Sequence, residues 1–200
     1  MAAAYPVVFD VERPATFSRA HVVLRIMILV LASILTGGFS GWFGVLYLLF
    51  PVLAAVFISQ RGAARFLEED GPRLTRWVGF VVALIAYVAA LTDRLPGGGE
   101  RPVRFEVQRS GSPTVGSALL RLLYAIPSAI VVGVLGIVAA IAWVIASIAI
   151  LVNETYPESL WRFQLGVVRW EARLFGYLAS LVEPYPPFSF DTGPAAPTAE

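Results

Sequence analysis

The sequence predicts an all-α integral membrane protein made of two tandem repeats, each with a short strand, a transmembrane helical hairpin and an amphipathic, interfacial third helix. Composition is the first observation behind this fold class. Hydrophobic residues make up 58% of the 200 residues and charged residues 14%, and the mean hydropathy is +0.74. Soluble domains carry about 25% charged residues. The apolar excess therefore indicates helices that lie in a bilayer.

An internal repeat is the second observation. The segment PVVFDVER at residues 6–13 returns as PVRFEVQR at residues 102–109, which is 96 residues later. The same shift places Leu24-Arg25 on Leu120-Arg121. A shared spacing of this kind indicates one structural unit used twice. The predicted organisation is a degenerate first repeat at 1–96, a glycine-rich linker at 97–101, a second repeat at 102–191 and a disordered tail at 192–200.

Each repeat begins with a segment that alternates between apolar and polar positions. Residues 7–11 read VVFDV and residues 103–107 read VRFEV, so every second side chain is apolar. This period is typical of a half-buried strand. A third alternating run, YPPFSFD, occupies residues 185–191. Because isolated strands are marginal, we expect these segments to pair with each other in a small cytoplasmic β-strand cluster on the membrane surface.

A helical hairpin is expected after each strand. In the first repeat, two apolar stretches are separated by the glycine-rich residues 37–41. In the second repeat, the apolar run at 122–152 has 31 residues; one straight helix of that length would measure roughly 46 Å, against a hydrocarbon core of about 30 Å. The repeat therefore predicts a turn at Gly133–Gly136. Pro51 and Pro127 are expected to kink the arms.

The third element of the second repeat, residues 161–182, carries arginines at helical spacing. Arg162, Arg169 and Arg173 lie on one helical stripe, with aromatic and aliphatic residues on the flanking faces. This pattern predicts an interfacial helix with its guanidinium groups at the lipid headgroups. Glu171 lies opposite the stripe and needs a partner.

The corresponding element of the first repeat leaves the number of spans open. Residues 68–72 read EEDGP and are expected to break it, whereas residues 77–92 are apolar and uncharged and could span. The count is therefore four or six. The arginines flank the open ends of the predicted hairpins, and the positive-inside rule places such residues in the cytoplasm. This distribution favours four spans with both termini cytoplasmic.

Several short motifs of the second repeat are similar to a known family. They are the strand at 102–107, Leu120-Arg121, Ala125-Ile126-Pro127, Ile141-Ala142-Trp143, Tyr156-Pro157, Val168-Arg169-Trp170 and Tyr185-Pro186-Pro187. Together they resemble domain of unknown function 4389, a bacterial membrane family common in actinobacteria. The resemblance covers residues 102–191 well and the first repeat more loosely. It implies a protein of the bacterial inner (plasma) membrane in tandem copies, and it supplies no activity, cofactor or catalytic residue.

The chain offers few residues for chemistry. It has no Cys, which excludes disulfides, thiolate catalysis and Cys-ligated metals. The single histidine, His21, leaves little from which to build a zinc site. A net charge of +1 gives no case for nucleic-acid binding. We expect no catalytic residue, no metal and no cofactor, and hence a protein that is not an enzyme.

Two groups of residues are the candidate functional sites. A charge at membrane depth is costly, so the arginines near helix starts and on the third element are candidates to bind lipid or a partner. They are Arg25, Arg121, Arg162, Arg169 and Arg173. Small residues on a membrane helix permit close helix packing. They are Gly133, Gly136, Ala139, Ala142 and Ala146.

These features favour a non-enzymatic accessory or scaffold subunit of a larger inner-membrane complex. The expected partners are the lipid bilayer, with a preference for anionic lipids, and other membrane subunits or further copies of this chain. One alternative is a membrane-shaping or lipid-organising protein. Another is a component of a small-solute transporter or channel, in which flux would depend on Arg25 or Arg121.

Overall fold

The computed structural model describes residues 5–36, 41–97 and 102–190. The predicted first hairpin turn, most of the predicted linker and the predicted disordered tail lie outside these residues. The elements in chain order are β1 (Val7–Val11), α1 (Arg19–Thr36), α2 (Gly41–Arg61), α3 (Ala63–Arg65), a π-helical turn (Phe66–Asp70), α4 (Gly71–Val88), β2 (Val103–Val107), α5 (Val115–Tyr124), α6 (Ile126–Asn153) and α7 (Glu158–Leu178).

Three helices of the described part, α1, α2 and α6, are long and apolar enough to cross a membrane. Large apolar side chains are exposed along all three, such as Ile34 on α1, Leu48 on α2 and Ile137 on α6. Exposed apolar surface of this extent is suited to lipid or to partner helices. The protein is mostly helical, and its composition and helices are compatible with a membrane protein.

The predicted turn at Gly133–Gly136 is wrong, because both glycines lie inside the continuous helix α6. Glycine in a helix interior costs only about 1 kcal/mol relative to alanine, and the surrounding apolar residues continue the helix. The break occurs instead at Ala125, between α5 and α6. Pro127 lies in the first turn of α6, where its missing N–H is tolerated. The second half therefore has a ten-residue helix and one long helix instead of a hairpin.

The predicted break at residues 68–72 is also wrong. The chain stays helical from α3 through the π-helical turn into α4. The acidic residues 68–70 belong to the wider π turn, which continues the helix. Pro72 lies in the first turn of α4, where proline is tolerated.

The predicted pairing of the two strands is confirmed. β1 and β2 are antiparallel, with Phe9 opposite Phe105 at the centre of the pair. The third predicted strand is wrong over its described part, because residues 185–190 contain no strand. They pass over α7 instead, where Phe188 and Phe190 contact the ring of Trp170.

Helix α7 lies at the centre of the protein. Every residue from 164 to 182 is buried, and α7 packs against α2, α4, α5, α6 and β1. This placement differs from the interfacial position predicted from its arginine stripe. The physical reason is that the buried arginines find backbone carbonyl partners inside the protein.

Candidate functional site

Helices α4 and α7 end in the same backbone geometry. Ala90 and Ser180, two residues after each helix, have φ angles of 61° and 56°. Just beyond them, the N–H of Leu91 donates to the carbonyl of Ala86, and the N–H of Leu181 donates to the carbonyl of Gly176. This arrangement is a Schellman ending, which still leaves carbonyls near the helix end in need of donors.

Arg25 reaches the end of α4 from the second turn of α1, and its side chain is fully buried. Its Nε donates to the carbonyl of Tyr87 at 2.8 Å and its Nη2 to the carbonyl of Thr92 at 2.8 Å. The same Nη2 forms an ion pair with Asp93 at 2.6 Å. The guanidinium carbon lies 5.0 Å from the centroid of the Tyr87 ring.

Arg121 makes the corresponding contacts at the end of α7 from helix α5. Its Nη1 donates to the carbonyls of Tyr177 and Val182, both at 2.6 Å. The guanidinium carbon lies 4.5 Å from the centroid of the Tyr177 ring. Burial lowers the pKa of Arg121, while Tyr177, Tyr5 and Glu183 act in the opposite direction.

These contacts explain how two buried charges are stabilised. The C-terminal end of a helix carries partial negative charge, so a cation there is favourable. Guanidinium hydrogen bonds also satisfy carbonyls that the helix leaves free. Arg25 and Arg121 therefore fasten α4 and α7 to α1 and α5. Their role toward lipid or a partner stays a prediction.

Arg169 and Arg173 hold β1 and the C-terminal segment, residues 185–190, on α7. Arg169 donates to the carbonyls of Phe9 and Phe190 and pairs with Asp10 at 2.9 Å. Arg173 donates to the carbonyl of Ser189 at 2.9 Å. Both arginines are buried.

The predicted stripe of α7 is thus divided between interior and surface. Arg162 is exposed and pairs with Glu158, four residues earlier, whereas Arg169 and Arg173 lie inside the protein. A helical stripe of arginines has the same sequence pattern in both surroundings. Lipid or partner binding by these three residues stays a prediction.

Glu171 is buried in the core on α7. Its Oε2 has no hydrogen-bond partner among the described residues. The described residues therefore do not supply the partner that was expected for Glu171. Burial raises the pKa of the Glu171 carboxyl to about 8. The side chain is therefore mainly protonated at neutral pH.

The small residues of α6 also fall into two groups. Ala139, Ala142 and Ala146 are buried in the protein. At Gly133 and Gly136, no described residue beyond the helix's own backbone and the chain neighbours lies within 4 Å of the position of a Cβ. The alanines therefore pack internally, and the glycines face open space.

Two shallow depressions flank the start and the middle of α1. A polar one of about 450 Å³ is lined by residues that include Ser18, Arg19, Asp93 and Glu154. An apolar one of about 380 Å³ lies between α1 and α6 beside Trp143. Within the described ranges, no group of three or more His, Asp or Glu residues could hold a metal ion.

Sequence reasoning identified the two buried arginines but not their acceptors. A signal was available, because Tyr87 and Tyr177 are 90 residues apart and so are Asp93 and Glu183. This common spacing marks the two helix ends that Arg25 and Arg121 contact.

Comparison with known proteins assigns one part of the chain. No curated protein and no solved structure matches the chain. Residues 116–189, which include most of α5 and all of α6 and α7, match the family model described as a domain of unknown function, DUF4389. This part of the chain, residues 116–189, is therefore DUF4389-like.

Proposed function

We propose that this protein is a non-enzymatic scaffold or accessory subunit of a larger complex in a bacterial inner membrane. In this proposal both termini are cytoplasmic, and the two halves of the chain derive from one duplicated unit. The partners are the bilayer and either other membrane subunits or further copies of this chain.

Two pairs of contacts support the duplication. Phe9 and Phe105, 96 residues apart, face each other at the centre of the strand pair. Arg25 and Arg121, also 96 residues apart, each donate to the carbonyls at the end of a long helix. Two copies related by a local two-fold axis would produce both relations.

The open glycine face of α6 is the observation that carries the scaffold proposal. Gly133 and Gly136 lie on a helix apolar enough to span a membrane, and no neighbouring element of the described part of the chain comes within 4 Å of their Cβ positions. Lipid chains gain little from glycine, but a second helix can approach closely there, which is the usual basis of packing in membranes. The buried arginines meanwhile hold the rest of the protein as a rigid frame.

Purification of the full chain in mild detergent tests this proposal. The wild-type protein should be recovered with a stoichiometric partner or as a defined self-assembly. Replacing both glycines, as in Gly133→Leu/Gly136→Leu, should abolish that association because the added side chains fill the approach surface.

Gly44→Leu on α2 is the matched control. Gly44 is also exposed, with no atom of the described ranges within 4 Å of its Cβ position, so this variant should associate like the wild type. Recovery of the wild-type chain as a lone monomer would contradict the scaffold proposal. If Gly133→Leu/Gly136→Leu associated as well as Gly44→Leu, the glycine face of α6 would not be the contact surface.

A lipid-organising role is the second candidate, and helix α5 favours it. This helix has only ten residues, too few to span, yet Leu119, Leu120, Leu123 and Tyr124 are exposed on it. An apolar surface on a short helix perturbs lipid packing locally. Proteoliposomes at high protein loading should then become tubular, and Leu120→Ser/Leu123→Ser should restore round vesicles. Unchanged wild-type vesicles would count against this role.

A further inference from the structure

Helix α4 presents a basic and aromatic stripe on its exposed side. Arg73, Arg76, Trp77 and Phe80 follow one another at steps of three, one and three residues, so all four share one helical face. All four are exposed; the exposed fractions of Trp77 and Phe80 are 57% and 54%. Two large aromatic rings beside two guanidinium groups form an unusual exposed surface for a helix whose opposite side is buried.

The arginines of this stripe carry uncompensated charge. Neither Arg73 nor Arg76 forms an ion pair with any residue in the described ranges. Of the acidic residues just before α4, Glu69 and Asp70 lie beside Arg61. Glu68 forms no ion pair with either arginine in the described ranges. The stripe therefore retains two positive charges available to an anionic partner.

The position of the stripe along α4 indicates a membrane interface. Near the stripe, α4 meets the sheet, where Phe105 lies against Gly79, and the sheet exposes the charged side chains of Asp10, Arg104 and Glu106. Such charges belong outside the hydrocarbon.

The other end of α4 contacts two candidate spans. The carbonyl of Tyr87 accepts from Arg25 of α1, and the carbonyl of Val88 accepts from Trp143 near the middle of α6. Helix α4 thus leads from the charged sheet toward the level of the spans, and the stripe lies near the transition. Aromatic and basic residues are enriched at this depth.

The equivalent face of α7 argues against a peptide occupant. When α4 and α7 are matched at their identical ends, Phe80 corresponds to Trp170 and Arg76 to Gly166. Phe190 of the C-terminal segment covers this face of α7, lying 2.9 Å from the Cβ position of Gly166. Arg76 would block a segment seated in that way on α4.

We propose that the stripe of α4 binds the headgroups of anionic phospholipids. Arg73 and Arg76 bind the phosphate oxygens of the bilayer surface, and Trp77 and Phe80 lie at the boundary with the acyl chains. This inference goes beyond the scaffold proposal, because it assigns a ligand class to residues that the scaffold contact on α6 does not use.

Native mass spectrometry of the full chain in detergent tests the proposal. Short-chain phosphatidylglycerol and phosphatidylcholine with identical chains are titrated separately, and the bound lipids are counted. The wild type should prefer the anionic lipid. Arg73→Gln/Arg76→Gln should bind phosphatidylglycerol about 25-fold more weakly, from roughly fivefold for each arginine near an anionic surface, with phosphatidylcholine binding unchanged.

Two further variants make the outcome specific. Arg19→Gln/Arg104→Gln removes the same charge from exposed arginines that are paired with Glu154 and Glu106, and it should change binding less than twofold. Arg73→Lys/Arg76→Lys keeps the charge and should keep most of the preference. An unchanged preference in Arg73→Gln/Arg76→Gln, or equal losses in both glutamine variants, would overturn the proposal. So would a co-purifying protein lost from Arg73→Gln/Arg76→Gln without any change in lipid binding, because the stripe would then be a protein contact.

Discussion

Helices α4 and α7 end in the same hydrogen-bond pattern and are each held by an arginine, but they lie in different surroundings. Helix α7 is buried on nearly all sides from residue 164 onward, while α4 buries one face and exposes the other. The difference follows from what covers them. β1 and residues 185–190 lie on α7 and provide carbonyls for its arginines, whereas the stripe of α4 is open.

The comparison also separates two uses of arginine. Arg25, Arg121, Arg169 and Arg173 are buried and donate to backbone carbonyls, which is a structural use. Arg73 and Arg76 are exposed and without an ion pair in the described ranges, which leaves them available for a ligand. Proteins retain buried charges only where such groups are well paired, so the internal arginines should dominate stability and the exposed ones should not.

The largest expected effect comes from removing the arginines that hold the two helix ends. Arg25→Met should lower the free energy of unfolding by about 3–5 kcal/mol, because it removes the buried cation of the ion pair with Asp93 and its hydrogen bonds to two carbonyls. Arg121→Met should cost about 2–3 kcal/mol, because it removes charged hydrogen bonds without breaking a close ion pair. Denaturant titration in detergent measures both.

Arg104→Met is the control for these variants. Arg104 is exposed, and within the described ranges its ion pair is with Glu106, so its loss should cost less than about 1 kcal/mol. If Arg25→Met were no more destabilising than this control, the helix-end contacts would not hold the fold together. A larger loss for Arg121→Met than for Arg25→Met would reverse the predicted order of the two ends.

A pH dependence of stability is expected from Glu171. When α4 and α7 are matched at their ends, Glu171 lies at the position that corresponds to Val81. Burial raises the pKa of its carboxyl from 4.5 to about 8. Between these values the unfolded chain releases the proton while the folded chain keeps it, so stability should fall as the pH rises through this window and level off above it. Glu171→Gln cannot ionise and should lack this slope in unfolding measurements across the same pH range.

Glu154→Gln is the matched control for the pH experiment. Glu154 is half-exposed and pairs with Arg19, so this variant should keep the wild-type slope. Identical slopes for the wild type and Glu171→Gln would show that the pH dependence arises elsewhere.

A smaller effect is expected where the C-terminal segment covers α7. Gly166→Leu should force Phe190 away, since even a Cβ would come within 2.9 Å of its ring. Overpacking of this kind costs about 1–3 kcal/mol, and proteolytic cleavage between residues 184 and 190 should become faster. Gly133→Ala, at a site with open space, should be neutral or slightly stabilising. Equal cleavage rates in the two variants would mean that the segment does not depend on Gly166.

Local patterns predicted part of this fold, and distant contacts account for what they missed. The strand pair was predictable because alternation of apolar residues depends only on neighbours along the chain. The continuity of α6 was not, since glycine weakens a helix by too little to specify a turn. Arg25 and Arg121 were identified from the cost of burying charge, but the carbonyls they bind lie 62 and 56 residues away, and spacing alone does not place them.

The smallest expected effect concerns Arg162, the one exposed arginine of the stripe predicted on α7. Its ion pair with Glu158 spans four residues on a helix surface, and both side chains are more than half exposed. Such pairs contribute about 0.3–0.5 kcal/mol, so Arg162→Gln should unfold almost like the wild type. This stability makes the variant a clean test of the predicted lipid or partner contact at Arg162. Weaker lipid binding or weaker association by a fully folded Arg162→Gln would assign Arg162 to that contact. Unchanged binding and association would restrict the arginine stripe of α7 to its internal role.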